Sequence, residues 1–171
     1  MTAGLVIAGV TDMGWSGAWE GYLEAEMKLM RMSEEKDIVA WCIEHFGGDG
    51  SGFFTSSEVE SLPEPDNVLL ADADAAAALT STVAEAFRQG VAGYAQDVFI
   101  QGRPWPFDPG SIRIPVDVVH GEPDTLVPMA HSRHTAEWIP GSRFRTLAGH
   151  GHLTILSEFP TLASVLVSLR R

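Results

Sequence analysis

Branched apolar residues run unbroken from Leu5 to Val10, the pattern of a strand covered on both faces in a parallel sheet. From Gly17 to Met32 the pattern changes: Trp19, Tyr22, Leu23, Met27 and Met30 recur at helical spacing, with Glu20, Glu24 and Lys28 between them. A second helix is predicted after Ser33 as N-cap, burying Ile38, Val39, Cys42, Ile43 and Phe46 and stopping at Gly47-Gly48. The stretch from Asp49 to Pro65 reads as a loop. Asp66 is placed to cap a helical region from Asn67 to Gln89 that breaks near Asp74, and Val91 to Gln101 forms a further short helix. The proline-rich connector from Arg103 to Gly110 leads to a strand at Pro115 to His120. A helix at Met129 to Ile139, a strand at Arg143 to Leu147 and a helix at Phe159 to Leu169 follow, the last with Leu162, Val165, Leu166 and Leu169 facing inward. Alternating strands and helices in the last third predict a parallel sheet, and Gly17 to Gly102 is an all-helical stretch between two strands.

With 171 residues and 45% hydrophobic content, the chain is long enough for one sizeable core, and neither an internal repeat nor a linker to a second domain is evident. The charge balance, 11 Lys+Arg against 23 Asp+Glu for a net −12, argues against nucleic acid and anionic membrane surfaces as partners. No stretch has the length of a membrane span, and the apolar start lacks the basic flank of a signal peptide. The single cysteine, Cys42, lies on an apolar helical face and is expected as a core residue, which fits a reducing cytoplasm. Met1-Thr-Ala-Gly leads into a buried-type strand without a polar approach, as if a domain were joined midway.

Chemistry concentrates at two strand ends, where parallel sheets place their sites. His120-Gly-Glu-Pro-Asp-Thr-Leu-Val-Pro128 sets Asp124 on the turn past one strand, and Leu147-Ala-Gly-His-Gly-His-Leu-Thr154 sets His152 on the loop past the next. In a parallel pair these loops lie side by side, so a carboxylate and an imidazole can hydrogen-bond across them, the orienting half of a nucleophilic triad. His120, at a strand end, is expected to be hydrogen-bonded structure, and His150 a solvated loop residue.

The pattern H-G-x-x-D-x-x-V-P followed by G-x-G-H resembles the acid and histidine motifs of the α/β-hydrolase fold family, and the resemblance covers most of the chain. It implies a partial α/β-hydrolase fold, a single truncated domain over 1–171. Residues 14–110 would form a helical cap insertion, and 111–171 the C-terminal sheet and helices, with about three parallel strands in all. The strand at Leu5 would be the family's sixth, and the two later ones its seventh and eighth. By the same resemblance Asp124 would be the triad acid and His152 the general base of a serine-type hydrolase acting on an ester, amide or similar bond, with no cofactor.

The family's nucleophile sits in a G-x-S-x-G turn joining a strand directly to a helix. The nearest match, Gly14-Trp-Ser-Gly-Ala18, lacks the last glycine and is separated from its strand by Thr11-Asp-Met13. Ser16 is therefore read as a loop residue or helix N-cap leading into the helices, with the elbow expected upstream of Met1; the alternative is Ser16 as nucleophile. Trp15, Trp19, Met27, Met30, Trp41, Phe46, Phe53, Phe54 and Trp105 are candidates either for core packing or for lining an apolar substrate site. The acidic residues Glu24, Glu26, Glu34, Glu35 and Asp37 read as a solvated face. No metal-ligand spacing occurs, so no metal is expected. A non-catalytic interaction module is the competing reading, because a sheet beginning at Leu5 exposes an edge that can pair with another copy or with an N-terminal fragment.

Overall fold

Val116, Val118 and Val119 are almost completely shielded from solvent, as suits the central strand of a parallel sheet with helices on both faces. The computed structural model describes residues 3–53 and 62–168, with the backbone alone for 165–168. Phe54 and Leu169, and the side chains of Val165 and Leu166, lie outside the described residues. Three strands form one sheet in the order β1-β2-β3: β1 (Gly4–Ile7), β2 (Val116–Gly121) and β3 (Arg143–Leu147). Both pairs are parallel, with Val6 opposite Val118 and Val118 opposite Phe144. The period-two pleat divides the core. Val116, Val118, Val6 and Phe144 pack with Ala136 and Ile139 at the end of α6 (Met129–Trp138), while Val119, Leu5 and Ile7 pack with Ile155 and Leu162. Leu162 belongs to α7 (Phe159–Ser168), which follows a 3₁₀ turn at Thr154–Glu158.

Between β1 and β2 the described residues form five α-helices: α1 (Glu24–Met30), α2 (Glu35–Phe46), α3 (Glu64–Ala71), α4 (Ala73–Ala86) and α5 (Ala92–Gln101). Their own core is built from Leu29, Met30, Ile38, Cys42, Phe46, Phe87, Val91, Ala95 and Val98. Phe46 stands edge-on to Phe53, Phe87 and Tyr94. Trp15, Trp19, Met27 and Trp41 pack against the same cluster.

Several expected boundaries shift. Strand β1 stops at Ile7 because Ala8 turns to a positive φ of 45°, a conformation that ends extended pairing. The helix expected from Gly17 is a run of turns up to Gly21, whose φ of 82° breaks it, so regular helix starts only at Glu24. Glu34 rather than Ser33 occupies the N-cap position of α2. The expected break near Asp74 falls at Asp72, whose carboxylate accepts from the Asp74 and Ala75 amides and so caps α4. Asp66 is not a cap: it sits inside α3, fully buried, and its carboxylate is engaged elsewhere.

Among the described residues no helix is long and apolar enough to cross a membrane.

Candidate functional site

The loop after β2 folds back on itself around one carboxylate. Asp124 donates its amide to the Gly121 carbonyl, and its Oδ1 accepts from the amides of Leu126 and Val127 at 2.9 and 3.0 Å. Two of the carboxylate's contacts are thus made by local backbone amides, while Oδ2 faces the neighbouring loop and accepts from His152 Nδ1 at 2.9 Å. The Asp124 side chain is fully buried and the His152 side chain is 31% exposed, so the carboxylate is shielded while the imidazole keeps one side open. The two residues singled out at the strand ends are thus in direct contact.

Why the loops meet is visible in the backbone. Gly121 ends β2 against the His150 carbonyl, and a Cβ there would collide with that oxygen. Gly149 turns the chain at φ 73°, a conformation that favours glycine. With the close approach at Gly121 and the turn at Gly149, the loop after β3 comes against the end of β2 and presents His152 to Asp124.

His120 sits beneath the pair. Its Nε2 donates to the Val127 carbonyl at 3.0 Å and stands 3.5 Å from Asp124 Oδ2, while Nδ1 contacts Ser132 Oγ at 2.8 Å. Burial lowers its pKa below the usual imidazole value against the opposing charge of Asp124, so it serves as neutral scaffolding for the acid loop, as its strand-end position suggests. For His152 burial also works against protonation. The hydrogen bond and charge of Asp124, followed by the charges of Asp66 and Glu26, outweigh it and raise the pKa above the ordinary 6.5. His150 is partly buried, bonded to the Ala148 carbonyl and 3.6 Å from Glu158. It has no contact with Asp124.

Next to His152 opens a cavity of about 620 Å³. Ala8 to Val10 form its floor at the end of β1, and its walls come from α1, α5 and the loops after β2 and β3, with Leu29, Met30, Phe53 and Val98 prominent. Of the aromatic and methionine candidates for core packing or cavity lining, Met30 and Phe53 line the cavity. Trp15, Trp19, Met27, Trp41 and Phe46 pack in or on the helical core, because their faces meet other helices rather than the sheet end. Trp105 stacks with Phe107 and Trp138 away from the cavity. Glu26 departs from the solvated face expected for the acidic run: it lines the cavity beside Tyr22, whose hydroxyl is pushed far above its ordinary pKa by burial and by the charges of Glu26 and Asp124.

Ser16 lies exposed in the turns between β1 and α1 and is not part of the cavity wall. The segment around it is tied to α6 instead. Trp15 stacks on His134 with ring centroids 4.2 Å apart, and the Ala18 carbonyl accepts from His131 Nε2 at 2.8 Å. The fully buried His131 also accepts from the Thr11 amide at 3.0 Å through Nδ1. Both ring nitrogens being occupied by uncharged groups, burial holds His131 below the ordinary imidazole pKa. No sequence pattern points to this histidine; the contact spans 120 residues. Among the described residues no serine or cysteine lines the cavity, and no group of three His, Cys, Asp or Glu could hold a metal ion.

No family model matches the sequence, and no curated protein matches it significantly. Solved structures do match. The chain is similar to MGS-M2, an α/β-hydrolase enzyme from a Medee basin deep-sea metagenome library, at 11% identity and a TM-score of 0.61, over 98% of this chain and 55% of that one. A thermophilic esterase from Thermogutta terrifontis aligns at 15% identity and a TM-score of 0.60, over 99% and 57%. A bromoperoxidase from Bacillus anthracis aligns at 17% identity and a TM-score of 0.55, over 98% and 58%. The chain thus spans a little over half the length of the proteins it resembles. In its architecture it is a partial α/β-hydrolase fold, three parallel strands of one sheet with their helices.

Proposed function

We propose that the chain supplies the acid, Asp124, and the general base, His152, of a serine-type hydrolase acting on an ester, amide or similar bond, and that it relies on another polypeptide segment for the nucleophile. The single observation that supports this reading is the 2.9 Å contact from His152 Nδ1 to a fully buried Asp124 carboxylate at the mouth of an apolar cavity. With Nδ1–H committed to Asp124, Nε2 is the nitrogen left to take a proton from a hydroxyl nucleophile. The imidazolium so formed is held by Asp124, returns the proton to the leaving group, and the neutral ring then draws a proton from water that attacks the acyl intermediate. In this reading α1 to α5 are the cap, and the cavity beneath them takes a small substrate with an apolar portion. No cofactor takes part, and the cytoplasm is the expected compartment.

Among the described residues no serine lines the cavity, and acid and base without a nucleophile accelerate little, because such groups act as a unit. The test is hydrolysis of an acyl-ester series by the chain alone and by the chain joined to a supplied N-terminal α/β-hydrolase segment that carries a G-x-S-x-G turn. Turnover only in the second case is expected. Robust turnover by the chain alone, abolished by Ser16→Ala, would overturn the reading.

A non-catalytic role has one observation in its favour: β1 pairs with β2 on one side only, leaving an edge among the described residues that suits a further parallel strand. Dimerisation lost on placing a proline in Gly4–Ile7, with no ester turnover under any condition, would favour it.

A further inference from the structure

Asp66 belongs to α3, between the two strands, yet its carboxylate reaches the loop that carries His152, 87 residues later. Oδ1 accepts from the Thr154 amide at 2.9 Å and the Thr154 hydroxyl at 2.7 Å, and Oδ2 accepts from the Leu153 amide at 3.2 Å. Thr154 Oγ1 in turn accepts from the Gly151 amide at 2.7 Å, so the grip extends to both sides of His152. The approach is possible only because residue 151 has no side chain: a Cβ on Gly151 would run into the Asp66 carboxylate. Asp66 is fully buried, and among the described residues no lysine or arginine forms an ion pair with it. A buried carboxylate held by backbone amides is costly to desolvate. Its position in the first turn of α3 and its three donors offset that cost, and all three donors belong to the histidine loop.

We propose that Asp66 is a positioning residue: by clamping Gly151 to Thr154 from the helical layer, it sets the reach of the His152 ring to Asp124 and couples the placement of those helices to the competence of the base. The inference rests on the reading of His152 as general base but concerns its geometry, which is measurable without turnover. The groups facing His152 are Asp124 and His120 from β2 and the loop after it, Asp66 from α3, and Glu26 and Tyr22 from the cavity wall around α1. An asparagine at 66 would remove a charge and present an amide donor to the Leu153 N–H, so its effect mixes charge with position. Thr154→Val keeps the Asp66 charge and loosens the clamp alone.

The experiment is an NMR titration of the imidazoles in the whole chain for wild type, Asp66→Asn and Thr154→Val, with thermal melts alongside. The His152 midpoint is expected to fall by about half a pH unit or more in Asp66→Asn and to fall measurably in Thr154→Val, while His120 and His131 keep theirs. An unchanged His152 midpoint in Thr154→Val would overturn the positioning role, and so would a parallel movement of all three histidines, which reports general loosening. Should Asp66→Asn fail to fold, Thr154→Val decides. Absence of ester turnover in the joined polypeptide would count against the hydrolase reading and leave this titration standing; a flat titration in an active joined enzyme would remove the role of Asp66 alone.

Discussion

His152 Nδ1 and Asp124 Oδ2 lie 2.9 Å apart although they sit on different strand-end loops. The contact sets the protonation behaviour of the ring. Asp124 draws the His152 pKa upward against burial, with smaller help from Asp66 and Glu26. A base must be neutral to accept a proton, so the acid limb of any pH–rate profile is expected above the ordinary histidine value of 6.5. Stability runs the other way. A raised folded-state pKa stabilises the fold fully below about 6.5, and that contribution fades as pH climbs through the raised value. Asp124→Asn should move the His152 midpoint down, as followed by imidazole NMR.

His120 and His131 have the opposite sign. Both are fully buried with depressed pKa values, burial being the main cause in each. Their contribution is present above the unfolded value of about 6.5 and is lost as pH falls toward the depressed folded values. Melting temperature is therefore expected to drop below about pH 6.5, with proton uptake on unfolding measurable by calorimetry in two buffers of different ionisation enthalpy. No proton uptake near about pH 6 would show that the two rings titrate normally.

Gly121→Ala should separate Asp124 and His152 without touching either residue. The added methyl meets the His150 carbonyl and pushes the histidine loop off the end of β2. Backbone carbonyls do not swing aside as flexible side chains do. A loss of about 1–3 kcal/mol in stability is expected, as for overpacking elsewhere, together with a His152 midpoint nearer the ordinary value. Denaturant unfolding and the same titration check both.

Asp117, fully buried on β2, accepts from Arg143 Nε at 2.7 Å and Arg145 Nη2 at 3.0 Å on β3. The arginines are partly exposed, so the partners are unequal. Removing both arginines strands a carboxylate inside the sheet and is expected to cost about 3 kcal/mol or more. Asp117→Asn leaves two arginines that solvent can reach, and should cost less. Urea unfolding of the two variants checks the order.

Much of this was legible in the residues. The branched runs at Leu5 and Val116, the alternation after them, and the H-G-x-x-D and G-x-G-H loops locate the sheet end and its two titratable groups, because strand periodicity and loop glycines are local properties. Asp66 was misread for the same reason. An aspartate before a helical run looks like a cap, and its true partners, Leu153 and Thr154, lie in a loop that only the fold brings near. Two signals could have flagged it: a second aspartate, Asp72, already stood where α4 needed a cap, and Gly151 spared space beside the histidine. His131 gave no such hint, since its partners Thr11 and Ala18 lie more than a hundred residues away in sequence. Glu26 was placed with its acidic neighbours on solvent because the helical period was read from Gly17, whereas regular helix starts only at Glu24 and its seven residues face the cavity at Glu26.

The most direct test of Asp124 and His152 as an acid–base pair is the ester-hydrolysis rate of the chain joined to a supplied N-terminal α/β-hydrolase segment, compared between wild type and His152→Ala. A fall in kcat of about a thousandfold or more is expected. Equal rates would contradict the assignment.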